Sequence, residues 1–531
     1  MFEIRNSHRS MIVGKNGMVA SSQPLAVQAG IDILKKDGNA IDAAVAVAAT
    51  LNVVEPMSTG IGGDAFALIY SQKDNKLHSL NASGWSPENL TIDYFKDKGL
   101  DKIPLIGLQA VSVPGAVSGF EKALNEYGTM GFKEVLEPAI YYAENGFPVS
   151  ELASYSWHRA VEKLNSHPAT VKNYLPNGCP PIVGEMFYSK DLAKTFKTIA
   201  KGGAEEFYKG SIAKKIVKFS EENEGFFTLE DFAAFEAQWD TPISSKYKDY
   251  EMFQCPPNGQ GIATLLGLNI AKGFELESMI HNSSQYLHLL IEAKKLAWAD
   301  LRTFAADPDF NKLPLDELLS DEYSVKQQNR INLNKAAENV KPGLDWSHGD
   351  TIYLSVVDKD RNVVSFINSL YFGFGSGYVV EGTGICLQNR GALFSLDPKH
   401  LNSLEPRKRP FQTIIPAIVF QNDLPVLNFG VMGGDMQPQG QMQVFLNLVE
   451  YGMNVQQAIE APRFRHYDDN MIALEQGIGI KTRAELISKG HTIRSDIGEF
   501  FGGAQAIAID NEKDVLFGGS DPRRDGCAIG W

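Results

Sequence analysis

The chain has 531 residues, 44% of them hydrophobic, with 50 basic against 64 acidic side chains and a formal charge of −14. Such a length and composition bury a large core, which excludes a disordered chain and allows two or three domains. The acidic balance, with Arg407-Lys-Arg409 as the one compact basic run, excludes nucleic acid and anionic membrane as expected partners.

Met1 to Ala20 is interrupted by Glu3, Arg5, Arg9 and Lys15 and holds no apolar h-region, so no signal peptide is expected. No window approaches the roughly 20 apolar residues that a spanning helix needs. Cys179, Cys255, Cys386 and Cys527 lie scattered without CxxC spacing, which fits a reducing cytoplasm.

Pro24 to Lys36 and Asn39 to Asn52 read as two helices. Pro24 suits a first turn, Gly38 a C-terminal cap, and the alanine-rich second segment has high helix propensity. Pro56-Met-Ser-Thr-Gly-Ile-Gly-Gly-Asp64 is a glycine loop that leads into the apolar run Ala65 to Tyr70, a buried strand, and a turn at 73–75 with a strand at 77–80 completes a hairpin. Gly60-Ile-Gly-Gly63 precedes a strand, so it is no dinucleotide fingerprint. Residues from about 115 to 340 read as predominantly helical, with breaks at Gly146-Phe-Pro148, Gly178-Cys-Pro-Pro181 and 255–261. Ser320 to Asp350 turns polar and reads as a mobile linker. Beyond it the pattern becomes strand-rich, with runs at 351–357, 363–368, 413–420 and 426–431, then a helix near Met436 or Pro438. Helices in the first two-thirds and strands in the last third fit two sheets sandwiched by helices.

Thr351 opens the first of those late strands, directly after the turn-forming Trp346-Ser-His-Gly-Asp350. Inside a chain, threonine is a poor nucleophile. At a new N-terminus its own α-amine, with a pKa of about 7.7–8.0, takes the hydroxyl proton. Cutting Asp350-Thr351 therefore creates a catalyst, whereas the plain alternative is a threonine that merely starts a strand. Gly433-Gly434 follows an apolar run and precedes a helix, where backbone N–H groups without side chains approach an oxyanion; the alternative is a tight turn that needs glycine. The ten histidines show no metal-ligand spacing, so neither metal nor cofactor is expected.

At Thr351 and its surroundings the sequence resembles the γ-glutamyltranspeptidase family of N-terminal-nucleophile hydrolases. The matches run along nearly the whole chain and include Gly38-Asn-Ala-Ile-Asp-Ala43, Gly60-Ile-Gly-Gly63, Val113-Pro-Gly-Ala116, Thr351-Ile-Tyr-Leu-Ser-Val-Val-Asp358, Arg407-Lys-Arg-Pro410, Gly433-Gly434, Ala461-Pro-Arg-Phe464 and Ser520-Asp-Pro-Arg523. The resemblance implies an α+β fold, a four-layer αββα sandwich. It implies one precursor that cuts itself into a large subunit (1–350) and a small one (351–531), with Thr351 as nucleophile and Gly433-Gly434 as oxyanion hole. A dimer of such large-plus-small pairs is implied only by analogy with some members.

The recognition residues depart from the family pattern. Ser83, in Asn81-Ala-Ser-Gly-Trp85, stands where the family's carboxylate-binding arginine is expected. Ser369 and Tyr371 replace a threonine and an asparagine, Arg390 and Leu393 a glutamine and an aspartate, and Gln412 and Thr413 a pair of serines. A free amino-acid head group thus loses both ion-pair partners, at a cost of several kcal/mol. The replacement set resembles a branch that includes oxamate amidohydrolase. Arg390 is then a relocated carboxylate clamp, or a structural residue that makes a salt bridge or hydrogen bonds to loop carbonyls. Trp85 and Tyr371 either shrink the pocket around a small acyl group or belong to the core. The expected activity is hydrolysis of a small carboxylate-bearing amide, oxamate being the concrete candidate. The alternatives are γ-glutamyl transfer or glutathione hydrolysis, and, in another class, an uncleaved binding protein.

Overall fold

A computed structural model describes residues 7–338, 340, 350–494 and 501–531. Two seven-stranded sheets form its centre. In one, the strand order runs Cys527–Gly530, Met18–Ser21, Asp350–Val357, Val363–Tyr371, Asp64–Ser71, Lys76–Ala82 and Gln238–Asp240. In the other it runs Ile12–Gly14, Val515–Ser520, Gly503–Asp510, Leu424–Met432, Ala417–Gln421, Tyr250–Gln254 and Ile243–Tyr247.

Both faces of the central strands are covered, so they read as apolar runs without polar alternation. Along Asp350–Val357, Ile352, Leu354 and Val356 point to the helices outside, while Tyr353 and Val357 point to the opposing sheet. Phe66, Ile367, Ile418 and Ile507 join that inner layer, which seals the two sheets together. Outside the first sheet lies the helix Ala40–Val54, buried at all 15 positions; its small alanines let it press flat, and Asn39 and Asp42 close its N-terminus as a reciprocal capping box. Outside the second sheet lie Gly261–Ala271, Ser284–Phe304 and Met436–Val449. The layers are therefore αββα, as the resemblance implies.

The stretch expected to be helical up to residue 340 also supplies five strands: the short pair Phe147–Pro148 and Met186–Phe187, and Gln238–Asp240, Ile243–Tyr247 and Tyr250–Gln254, which finish both large sheets. They are short and carry polar residues, so local periodicity does not mark them. The expected mobile linker is corrected over its first part. Ser320 caps a helix, Asp321–Gln328, with Ser324 and Gln327 buried. Residues after it are held too, by Ala336 N–H on the Lys489 carbonyl (2.7 Å) and Ala337 N–H on the Glu292 carboxylate (2.9 Å). Partners distant in sequence make this order, and polarity alone misses it. Residues 341–349 of that segment lie outside the described residues, as does the side chain of Asp350.

Candidate active site

Thr351 is buried, 1% exposed, at the start of its strand. The pairing with Val363–Tyr371 slips there. Asp350 faces Tyr371 and Ile352 faces Asn368, so Thr351 stands opposite a bulge formed by Ser369 and Leu370 of the partner strand. Bulges re-aim a side chain at a sheet edge or a site. The Thr351 hydroxyl lies 3.1 Å from Ser369 Oγ, which also accepts the Tyr371 N–H at 2.8 Å. Tyr371 itself has φ +77°, a strained value for an aromatic residue.

The glycine pair comes to the same end of the sandwich from the other sheet. The Tyr353 ring covers Gly430 so closely that a Cβ there would stand 2.5 Å from it. Two residues back along one strand is Thr351, and three residues forward along the other is Gly433. Gly433 and Gly434 have φ +116° and +56°, which L side chains avoid. Their carbonyls close the turn into the helix at Met436 and Gln437 (3.0 and 3.1 Å), and among the described residues neither glycine N–H has a protein acceptor. Two free N–H groups at a helix start form a site for negative charge.

The residues expected to recognise substrate, Trp85 excepted, form one buried network beside them. Gln260 ties the two parts together, donating to the carbonyls of Gly434 (2.9 Å) and Thr413 (2.5 Å). Arg390 is wholly buried, donates from Nη1 to Thr413 Oγ1 at 2.7 Å and lies 4.7 Å from the centre of the Tyr371 ring. Among the described residues its Nε and Nη2 have no hydrogen-bond acceptor. Burial, opposed by the attraction of Asp64, lowers its pKa to about 10, so it stays cationic at neutral pH. The salt-bridge alternative for Arg390 is not what the geometry shows: it makes no direct ion pair among the described residues. Ser83 Oγ accepts from Gln412 (2.8 Å) and Asn258 (3.0 Å), so Ser83 and Gln412 join the network. Trp85 does not. Its indole donates to the Asp231 carbonyl at 3.3 Å and its ring stands edge-on to Phe235, in the helical layer. The preceding Gly84 packs on the Val113 carbonyl, where a Cβ would stand at 1.5 Å.

Sequence reasoning missed Asp64. It follows the glycine loop, and Gly63 packs on the Ser369 carbonyl, where a Cβ would stand at 2.3 Å. Asp64 is fully buried and accepts from Gly84 N–H (2.9 Å), Gln388 (2.8 Å) and Gln412 (2.6 Å). Desolvation raises its pKa to about 6, while Arg390 and these donors pull it down. The available signal was one acid opening an otherwise apolar strand.

For a metal, the described residues offer the buried group His288, Glu292 and His491. The two imidazoles already bond each other at 2.8 Å, and Lys295 lies 2.7 Å from the Glu292 carboxylate. The group is a closed polar cluster that holds the 332–337 segment through Asn332 and Ala337.

A four-layer αββα sandwich built on these two sheets is the architecture of the N-terminal-nucleophile hydrolases. The family model described as gamma-glutamyltranspeptidase matches residues 26–531, and the chain belongs to that family. It is 42% identical over 528 residues to the glutathione hydrolase-like YwrD proenzyme of Bacillus subtilis, covering 98% of this chain and 99% of that one. It is 33% identical over 532 residues to the oxamate amidohydrolase proenzyme of Klebsiella pneumoniae, covering 98% and 99%. The solved cephalosporin acylase from Bacillus halodurans superposes with a TM-score of 0.94 at 42% identity, covering 100% of this chain and 99% of that one. The chain is thus a hydrolase of this family, and its proenzyme relatives imply processing into two subunits.

Proposed function

We propose that the protein is a self-processing threonine amidohydrolase that cleaves a small amide bearing a carboxylate, with oxamate as the first candidate. The observation that carries this reading is Arg390, a buried cation with two guanidinium nitrogens free of acceptors, joined to Thr351 through Tyr371 and Ser369. A planar fork of that kind binds a carboxylate through two parallel hydrogen bonds.

In maturation the Thr351 hydroxyl attacks the Asp350 carbonyl and water opens the resulting ester, which frees the α-amine. In turnover that amine takes the hydroxyl proton as Oγ bonds to the substrate carbonyl carbon. Charge on the carbonyl oxygen meets the N–H groups of Gly433 and Gly434. The tetrahedral adduct collapses, the C–N bond breaks, and the leaving amine receives the proton from the Thr351 ammonium. Water then releases the acid. Arg390 holds the substrate carboxylate throughout, which fixes the distance between that group and the scissile carbon.

A second reading, γ-glutamyl hydrolysis, is favoured by the relatives named glutathione hydrolases. The test joins intact mass and N-terminal sequencing of the protein and a Thr351→Ala variant to an amide panel of oxamate, oxamide and glutathione. Fragments meeting at Asp350/Thr351 in the parent alone, with oxamate preferred over its neutral amide, support the proposal. Preference for glutathione moves it to the second reading. An uncut, inactive chain makes it a binding protein.

A further inference from the structure

We propose that the Arg390 pocket takes up a proton at Asp64 when it binds the carboxylate of its substrate, so that Asp64 is a positioning residue that matches pocket charge to an anionic amide. The inference rests on the Arg390 reading above and goes beyond it, because it assigns a proton-linked role to a residue that contacts no substrate atom in that mechanism.

The geometry sets up the conflict. Asp64 and Arg390 are both fully buried and interact through space without an ion-pair contact. The Asp64 carboxylate is held by uncharged donors, Gly84 N–H and Gln388 on Oδ1 and Gln412 on Oδ2, with Gly115 N–H more distant at 3.4 Å. Tyr208 also faces it, with its hydroxyl donating to the Pro114 carbonyl at 2.8 Å. Of the charges acting on Asp64, the attraction of Arg390 is the largest. On its other side Arg390 faces the Tyr371 ring, and beyond that ring lies Asp435, itself surrounded by Lys294, Arg302, Arg465 and Asp468.

A substrate carboxylate on Nε and Nη2 puts two buried anions around one guanidinium. Like charges sharing a site push one of the two pKa values up. Asp64 is the group poised to respond, because burial already lifts it to about 6. Oxamate cannot retain its charge-assisted contacts to Arg390 if it is the group that takes the proton. The proton goes from solvent to Asp64, no covalent bond forms, and binding becomes weaker as pH rises above about 6. The Gln412 amide, whose Oε1 has no partner, is able to flip and accept from a neutral group at position 64.

The test uses the mature enzyme and lactate, a monoanion of oxamate's size without a scissile amide. Calorimetry at pH 7 in two buffers of different ionisation enthalpy counts the protons taken up. The expected result is close to one proton per lactate bound and an affinity that falls about tenfold per pH unit above pH 7. In Asp64→Asn the uptake and the pH dependence both vanish, and affinity at pH 8 rises toward the wild-type value at pH 5. Self-cleavage of the variant reports that it folds; Asp64→Glu is the second variant, and because the Thr351 α-amine titrates in the same range, proton uptake that Asp64→Glu leaves unshifted overturns the inference. Binding without proton uptake, or uptake that survives in Asp64→Asn, overturns the inference and leaves the Arg390 clamp standing. No binding of lactate at any pH overturns both.

Discussion

Replacing Arg390 by alanine removes the buried cation that the proposed function places on the substrate carboxylate. The loss has two separable parts. The fold loses the Nη1 bond to Thr413 (2.7 Å) and the contact with the Tyr371 ring (4.7 Å). Together these amount to about 1–3 kcal/mol of stability, which a domain of this core size tolerates. Binding loses a two-point charge-assisted contact to the substrate carboxylate. Truncating one member of such a buried pair costs about 2–5 kcal/mol; about 3 kcal/mol corresponds to roughly 150-fold in kcat/KM. The assay is kcat/KM for oxamate beside oxamide, which has the same shape and no carboxylate. Oxamate is expected to lose roughly two orders of magnitude, and oxamide less than about threefold, the tolerance set by modest repacking. Self-cleavage proceeds in the variant, since that step uses no substrate carboxylate. Equal losses for the two amides would refute the clamp, because the damage would then lie in packing and not in charge recognition.

Gly433→Ala places a side chain at φ +116° and displaces the N–H that the proposed mechanism aims at the oxyanion. Precursor cleavage, followed by gel, and amide turnover are expected to slow together by roughly 10²-fold, and slowing of only one step would separate the two oxyanion sites. Glu55 is buried, and desolvation lifts its pKa from 4.5 to about 7, against the pull of Arg524, Ser22 and Ser58. Because the folded value is the higher one, its stabilising contribution is complete below pH 4.5 and is lost as pH rises through 7, by on the order of 3 kcal/mol. Urea midpoints of wild type and Glu55→Gln should therefore diverge between pH 5 and pH 8, with the variant flatter; parallel curves would contradict the assignment. Tyr353 donates or accepts through its hydroxyl with Ser355, Ser365 and Asn428 at 2.7–3.0 Å inside the inter-sheet layer. Tyr353→Phe is expected to cost about 1–3 kcal/mol in urea unfolding, and a neutral result would mean that water satisfies the orphaned Asn428 amide oxygen.

The sequence by itself determined the parts whose signal is local. The helix that starts at Asn39, the apolar run after Gly60-Ile-Gly-Gly63, the strand opened by Thr351 and the glycine pair before Met436 are all written in neighbouring residues, because helix starts, buried strands and turns are decided over a few positions. The motif order along the chain also carried the family. Tertiary structure decided the rest. Gln238–Asp240 pairs because Lys76–Ala82 offers it an edge, and residues 332–337 are held because Lys489 and Glu292 reach them from elsewhere in the chain. The acid at position 64 meets Gln388, Gln412 and Arg390 from more than 300 positions away. Burial lifts its pKa, and burial is a property of the folded sandwich that no window of sequence contains.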